Sequence, residues 1–250
     1  SGSVALDENL NLFFAAQNTV YSYNKDGSQN WRFNTSGEVN GSPAVNSSEN
    51  IIVGTSASIL YSLSSTGSVI WQASTAGAVT NTPTINSDNT IFVATANGYL
   101  QKFSSSGQEI WRVNLGVTIQ SSPVIGQNGV VYIGTNNGLY AISASGSITW
   151  HNSTIGTITG SPAIASDQTI YVGSASNNTF YALNSDGTQN WSAVLPSSLQ
   201  GSPLIANDGV VYIQGTHLYA LYGYSGGLAS TPWPKFGKNN SNTKSYSNYQ

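Results

Sequence analysis

The sequence predicts an all-β fold, a six-bladed β-propeller with four antiparallel strands per blade. Three observations predict it. Six tryptophans (Trp31, Trp71, Trp111, Trp150, Trp191 and Trp233) recur 40, 40, 39, 41 and 42 residues apart, and a constant step of that size marks one supersecondary unit copied into an array. A second marker, Ser/Thr-Pro, keeps the same register at Pro43, Pro83, Pro123, Pro162 and Pro203, with Ser3-Val4 in the equivalent slot of the first copy. Within each copy, short runs of alternating apolar and polar residues are punctuated by turn residues, and nothing sustains a helical period.

Six units result, beginning near residues 3, 42, 82, 122, 161 and 202, and forming one domain over residues 1–250. The fifth unit shows the elements in order. Ser161-Pro-Ala-Ile-Ala is the first strand, followed by a turn at Ser166-Asp167-Gln168. Thr169 to Ser174 is the second, and Phe180-Tyr-Ala-Leu183 the third. A turn at Ser185-Asp186-Gly187 leads to the fourth, ending at Trp191. Asn-Gly, Asp-Gly, Thr-Gly and Ser-Gly links supply residues that accept the positive φ of tight hairpins. One such sheet cannot bury both faces alone, and radial repetition solves that problem. Residues 238–250 break the repeat and read as a polar tail, whose Tyr246 and Tyr249 are expected to lie against the seam between the first and last blades.

Composition narrows the function. Charged residues make up only 7%, and the net charge is −3 with seven Lys and Arg in all, so no basic face exists to hold nucleic acid. Cysteine is absent, which excludes disulfides, thiolate metal sites and thiol catalysis. No apolar run approaches the ~20 residues of a membrane-spanning helix. Low charge with abundant hydroxyl and amide side chains suggests an extracellular, cell-surface or periplasmic setting. The start at Ser1-Gly2-Ser3 reads as a mature or excised fragment, a monomeric domain of a larger chain. Seven Asn-x-Ser/Thr sites (Asn34, Asn40, Asn46, Asn152, Asn177, Asn190 and Asn239) are unremarkable in so polar a chain.

The run Tyr181-Ala-Leu-Asn-Ser-Asp-Gly-Thr-Gln-Asn-Trp191, with Ser161-Pro-Ala-Ile-Ala before it, resembles the pyrroloquinoline-quinone-type propeller repeat, and more closely its non-enzymatic, BamB-like branch. Pro232-Trp-Pro-Lys-Phe-Gly237 is similar to a closing segment of that branch. The resemblance spans residues 3–236. It implies that Gly-x-x-x-Trp joins neighbouring blades, so the six tryptophans are structural docking residues. The spacing holds at Gly27/Trp31, Gly67/Trp71, Gly107/Trp111, Gly146/Trp150 and Gly187/Trp191 but not at Gly227/Trp233, which makes the outer hairpin of the sixth unit irregular. Tyr132, Tyr171 and Tyr212, and Tyr61, Tyr140, Tyr181 and Tyr219, repeat in the same way and read as packing residues.

Catalytic signatures are missing from the sequence. Asp7, Glu8, Asp26, Glu49, Asp88 and Asp186 fall in or beside hairpin turns, and Asp167 and Asp208 occupy equivalent slots, where turn geometry alone accounts for an acid. Glu38 and Glu109 stand apart in different units and form neither a glycosidase pair nor a cation cage. His151 and His217 lack a third ligand for zinc. No catalysis, cofactor or metal is expected.

The candidate binding residues are those that vary beside constant neighbours. Just before each Ser/Thr-Pro, a constant apolar residue (Val39, Val79, Ile119, Ile158, Leu199) precedes a variable polar one: Asn40, Thr80, Gln120, Thr159, Gln200. Adjacent strand residues face opposite ways. The polar set, with Glu38 at its margin, is expected to ring one end of the central funnel and to contact a protein or peptide partner, with a glycan as the alternative. The expected function is therefore a binding or scaffolding propeller. A lectin-like sugar binder and a degenerate quinoprotein oxidoreductase are the two other readings.

Overall fold

The computed structural model describes residues 2–223 and 226–238. They form six antiparallel sheets, five of four strands and the last of three, each wound in simple chain order. The first sheet comprises β1 (Ala5–Leu6), β2 (Leu12–Ala16), β3 (Thr19–Tyr23) and β4 (Gln29–Asn34). The second is β5 (Ala44–Val45), β6 (Ile51–Gly54), β7 (Ile59–Leu63) and β8 (Val69–Ser74). The third is β9 (Thr84–Ile85), β10 (Ile91–Ala94), β11 (Tyr99–Phe103) and β12 (Glu109–Asn114). The fourth is β13 (Val124–Ile125), β14 (Val131–Thr135), β15 (Gly138–Ile142) and β16 (Ile148–Asn152). The fifth is β17 (Ala163–Ile164), β18 (Ile170–Gly173), β19 (Thr179–Leu183) and β20 (Gln189–Val194), and the sixth is β21 (Leu204–Ile205), β22 (Val210–Gln214) and β23 (Leu218–Tyr222). A single 3₁₀ turn at Gln127–Gly129 is the only helical element among the described residues. The first three sheets make up one compact unit and the last three another, dividing between Gly116 and Val117.

The strands follow from the residues. β6 and β10 are buried throughout, and their Ile, Val and Phe side chains pack on both faces of the sheet. The fourth strands β4, β8, β12 and β20 instead alternate between exposed and half-buried positions, as outer strands with one wet face do. A bulge recurs where the third strand meets the fourth: Ser62 pairs with Trp71 but Leu63 with Val69, which leaves Ile70 as the extra residue. The same shift occurs between Ser22/Tyr23, Lys102/Phe103, Ala141/Ile142 and Ala182/Leu183. Such a bulge re-aims the side chains beyond it, and here the residue just past it is the tryptophan or its neighbour.

Three of those indoles show what the repeat achieves. Trp31 Nε1 donates to Ser65 O at 2.7 Å, Trp71 Nε1 to Ser105 O at 2.9 Å, and Trp150 Nε1 to Ser185 O at 2.9 Å, each bond reaching the turn of the following sheet. The indole faces cover the turn glycines there. A Cβ on Gly67, Gly107 or Gly187 would lie 2.6–2.7 Å from the ring of Trp31, Trp71 or Trp150. Tryptophans also pack on second-strand aromatics of their own sheets: Phe13 with Trp31, Phe92 with Trp111, Tyr132 with Trp150 and Tyr171 with Trp191.

The last unit differs from the other five, at the hairpin where the Gly-x-x-x-Trp spacing fails. Its fourth strand is missing among the described residues, and Trp233 does not sit on a turn glycine. After Tyr222 the chain turns at Gly223, whose carbonyl accepts from the Tyr171 hydroxyl and whose N–H donates to Gly209 O at 2.8 Å. The following segment lies along β13 and β17, with bridges Ala165↔Leu228, Ile125↔Trp233 and Ala163↔Lys235. Trp233 is buried there at 1% exposure, and its carbonyl accepts from Ile125 N at 2.7 Å. Pro232 and Pro234 flank Trp233 and have no N–H to give, and the segment pairs only through these isolated bridges. The expected polar tail, with Tyr246 and Tyr249, lies outside the described residues except for Lys238.

Candidate functional site

The Ser/Thr-Pro marker has a structural role that sequence reading did not supply. Ser3 N donates to Ser42 Oγ at 2.8 Å and Ser42 N to Thr82 Oγ1 at 3.0 Å; in the second unit, Ser122 N donates to Ser161 Oγ and Ser161 N to Ser202 Oγ, both at 2.9 Å. Each hydroxyl therefore satisfies a backbone donor of the preceding sheet. These relays fix the loops just upstream, which carry the candidate binding residues.

Those loops divide as the alternation predicts. Val39, Val79, Ile119, Ile158 and Leu199 are all buried, whereas Asn40, Gln120 and Gln200 are exposed and Thr80 and Thr159 half-buried. The apolar residues fit over the glycines that end the second strands. A Cβ on Gly54 would lie 2.2 Å from Val79 Cγ1, one on Gly134 2.4 Å from Ile158 Cγ2, and one on Gly173 2.7 Å from Leu199 Cβ. Only glycine permits that approach.

Within the first unit, Glu38 is exposed, and its backbone exchanges bonds with Ser56: Glu38 N to Ser56 Oγ at 3.0 Å and Ser56 N to Glu38 O at 2.8 Å. Ser36 is held by the Tyr61 hydroxyl at 2.9 Å. Thr80 has beside it a residue that sequence reading passed over. Asn81 Nδ2 is enclosed and meets no acceptor among the described residues. No sequence signal distinguishes this asparagine among so many.

Within the second unit, Thr159 Oγ1 donates to Gln200 O at 3.4 Å, which joins two of the predicted residues. Gln200 also lines an open pocket of about 440 Å³ with Ser198, Gly201, Gln214, Gly215 and Thr216. Its lining is amide, hydroxyl and backbone, with no charge and no aromatic ring. The chemistry it offers is neutral hydrogen bonding. Tyr219 and Thr216 hold its wall through Ser197 Oγ at 3.3 and 3.1 Å.

Most of the carboxylates with a bonding partner lie away from these loops. Asp26 and Asp186 accept from the backbone and hydroxyl of Ser28 and Thr188, which lowers both carboxyls below the usual range. Burial pushes Asp88 up, but bonds from Thr90 and Asn86 and the charge of Lys102 outweigh it and leave a net lowering. Glu109 is held by Arg112 Nε and Gln101 Nε2, each at 2.6 Å. His151 stacks on Tyr140 at 3.9 Å with Nε2 against Asn137 O, and His217 Nδ1 lies 3.1 Å from Thr216 Oγ1. Among the described residues no three His, Asp or Glu converge on a metal position, and no described helix is long and apolar enough to cross a membrane.

A sequence profile described as outer membrane protein assembly factor BamB matches residues 16–106 and 96–232. The chain belongs to this BamB-like family of quinone-type propeller repeats. Among solved structures, BamB from Moraxella catarrhalis is similar with a TM-score of 0.75 at 17% identity, covering 93% of this chain and 76% of that one. Virginiamycin B lyase from Staphylococcus aureus reaches 0.68 at 13% identity over 88% and 83%, and the WD40 propeller domain of Doa1 0.67 at 13% over 88% and 77%. At such identities these likenesses show the β-propeller fold alone. No curated protein sequence matches significantly.

Proposed function

We propose that the chain is a six-bladed propeller that acts, without catalysis, as a protein-binding scaffold at the cell envelope. The observation that carries this reading is the pairing of family membership with rigidly held polar loops. Exposed Asn40, Gln120 and Gln200 project from backbone that the Ser/Thr relays and Tyr61 and Tyr219 immobilise. Preorganised neutral donors and acceptors cost little ordering entropy on association.

The carboxylates support the non-catalytic side of the proposal, because those in turns cap their own backbone and Glu109 is engaged by Arg112 and Gln101. The lyase among the structural neighbours shares only the fold. A sugar-binding reading draws on the pocket at Gln200, but that pocket lacks the aromatic platform on which sugars stack. Crosslinking from position 40, which is exposed and belongs to the same set of loop residues, in cells that produce the protein tests the proposal. Protein adducts that disappear in the Gln120→Ala/Gln200→Ala variant support it. Saturable binding on a glycan array, lost in that variant, would replace it with the lectin reading. A quinone absorbance band after incubation with quinone and calcium would restore the oxidoreductase one.

A further inference from the structure

An open cavity of about 310 Å³ lies beside the fourth sheet, walled by Tyr132 and Trp150 and rimmed by the amides of Gln127, Asn128 and Gln168. The two rings end one cross-strand row: Tyr132 pairs with Ala141 and Ala141 with Trp150. Equivalent rows in other sheets are Phe13–Ser22–Trp31, Phe92–Lys102–Trp111 and Tyr171–Ala182–Trp191. Phenylalanine is therefore enough to pack this place in the first and third sheets. In the fifth, the Tyr171 hydroxyl is used, since it donates to Gly223 O. Tyr132 is 5% exposed and its ring lies 5.8 Å from Trp150, yet its hydroxyl makes no hydrogen bond among the described residues. Burial alone raises its pKa. The sealed, unpartnered side-chain atoms among the described residues are Ser62 Oγ and Asn81 Nδ2, so the Tyr132 oxygen reaches open space, and the opening that this residue lines is the cavity. Buried tyrosine hydroxyls ordinarily find a partner.

We infer that this cavity binds one neutral hexose residue, recognised by the Tyr132 hydroxyl, the Trp150 ring and the rim amides. The site is separate from the loops of the proposed function, so either can fail while the other stands. Its volume is at the lower end of small-molecule sites, roughly 300–1,000 Å³, which suits a single ring. A pyranose has an apolar C–H face and a belt of hydroxyls. The face matches the open part of Trp150, which is half-buried and fixed by its seat on Gly187 and by Nε1 donating to Ser185 O at 2.9 Å. The belt matches the amides, each able to donate and to accept. The Gln127 and Asn128 side chains make no other hydrogen bond among the described residues, and Gln168 Nε2 reaches Ser166 O at 3.4 Å. On the same rim, Thr149 Oγ1 donates to Ala141 O at 3.0 Å, which leaves its lone pairs to accept. No lining residue is charged, which disfavours nucleotides and carboxylates. The Tyr132 and Trp150 rings are tilted by 40°, so they make a corner and not the parallel slot that sandwiches a flat heterocycle.

The probes are glucose, galactose, mannose and N-acetylglucosamine, each as free sugar and methyl glycoside, with adenosine as the heterocycle control. They are titrated into the folded protein and followed by NMR at backbone and indole N–H signals. At least one sugar is expected to bind saturably, in about the millimolar range, and to shift the Trp150 indole signal. Tyr132→Phe should weaken that binding roughly 3–10-fold, the loss of one neutral hydrogen bond. It should not lower the melting temperature, because phenylalanine already packs the same place in β2 and β10. Gln127→Ala, in an exposed turn, should weaken binding by a similar factor, and Gln120→Ala/Gln200→Ala should leave it unchanged. A methyl glycoside bound as well as the free sugar supports the site as a reader of glycan ends, and one that is rejected supports it as a site for the free sugar. Absence of saturable sugar binding, or binding that Tyr132→Phe and Gln127→Ala leave intact, overturns the inference. So does adenosine binding more tightly than every sugar, or sugar binding that is lost in Gln120→Ala/Gln200→Ala, which places the ligand on the loops.

Discussion

At the scale of single residues, the repeat works by giving a recurring buried backbone donor a hydroxyl acceptor on the next sheet. The Ser161 hydroxyl accepts Ser122 N at 2.9 Å in a fully buried setting. Ser161→Ala removes that acceptor, and the expected cost is about 1–3 kcal/mol, the penalty for a buried donor left without a bond. Ser161→Thr should recover most of it, since Thr82 does the same task for Ser42. Denaturant unfolding of both variants checks this. Lys235 is a cation enclosed along β17, with its ammonium donating to Phe236 O at 2.7 Å. Burial lowers its pKa from 10.5 to about 8. The unfolded chain therefore holds a proton that the folded one sheds between those values, so this group's destabilising contribution is full below about pH 8 and fades as pH rises toward 10.5. Lys235→Met is expected to raise the melting temperature at pH 7 and to lose that advantage near pH 10.5. A constant difference across pH would contradict the buried-cation account.

At the scale of elements, identical short sequences have different costs because their neighbours differ. Leu139→Ala should destabilise by roughly 2–5 kcal/mol, the usual cost of emptying a well-packed core position. Leu218→Ala, on the equivalent residue of an uncovered strand, should stay within about 0.5 kcal/mol. Equal losses in thermal melts would show that β23 is covered after all. This contrast also marks what could be read from the chain. Strand order, turn chemistry, the inward apolar residue before each Ser/Thr-Pro and the outward polar one all follow from period and residue type, because each repeats five or six times. The indole-to-glycine contact was legible through the shared Gly-x-x-x-Trp spacing. Trp233 keeps the step of the repeat but not its glycine spacing, and Pro232 and Pro234 flank it; its buried place beside β13 does not follow from that pattern. The hydroxyl relay was hidden, since spacing shows that a serine recurs but not that it reaches across to the next sheet. Asn81 and the pocket at Gln200 depend on which backbone atoms surround them, and no local pattern reports that.

At the scale of the whole molecule, a chain with 7% charged residues and no cysteine depends on sheet-to-sheet packing for its integrity. Within each compact unit, indoles laid on turn glycines and hydroxyls bonded to neighbouring backbone make three small sheets into one body. Trp71→Ala should therefore cost about 3–5 kcal/mol, as removal of a large packed aromatic does, and should broaden the unfolding transition as its sheet decouples from the next.

The most direct measurement compares three glycines by thermal unfolding. Gly27, Gly67 and Gly107 share one turn conformation, with φ of +86°, +83° and +83°, yet a Cβ at Gly27 meets open space while those at Gly67 and Gly107 strike Trp31 and Trp71 at 2.6 Å. Gly27→Ala is predicted to cost only the left-handed backbone strain, about 1–2 kcal/mol. Gly67→Ala and Gly107→Ala should cost at least about 2 kcal/mol more, because the indole must leave its seat. Three equal losses would show that the tryptophans do not join the sheets.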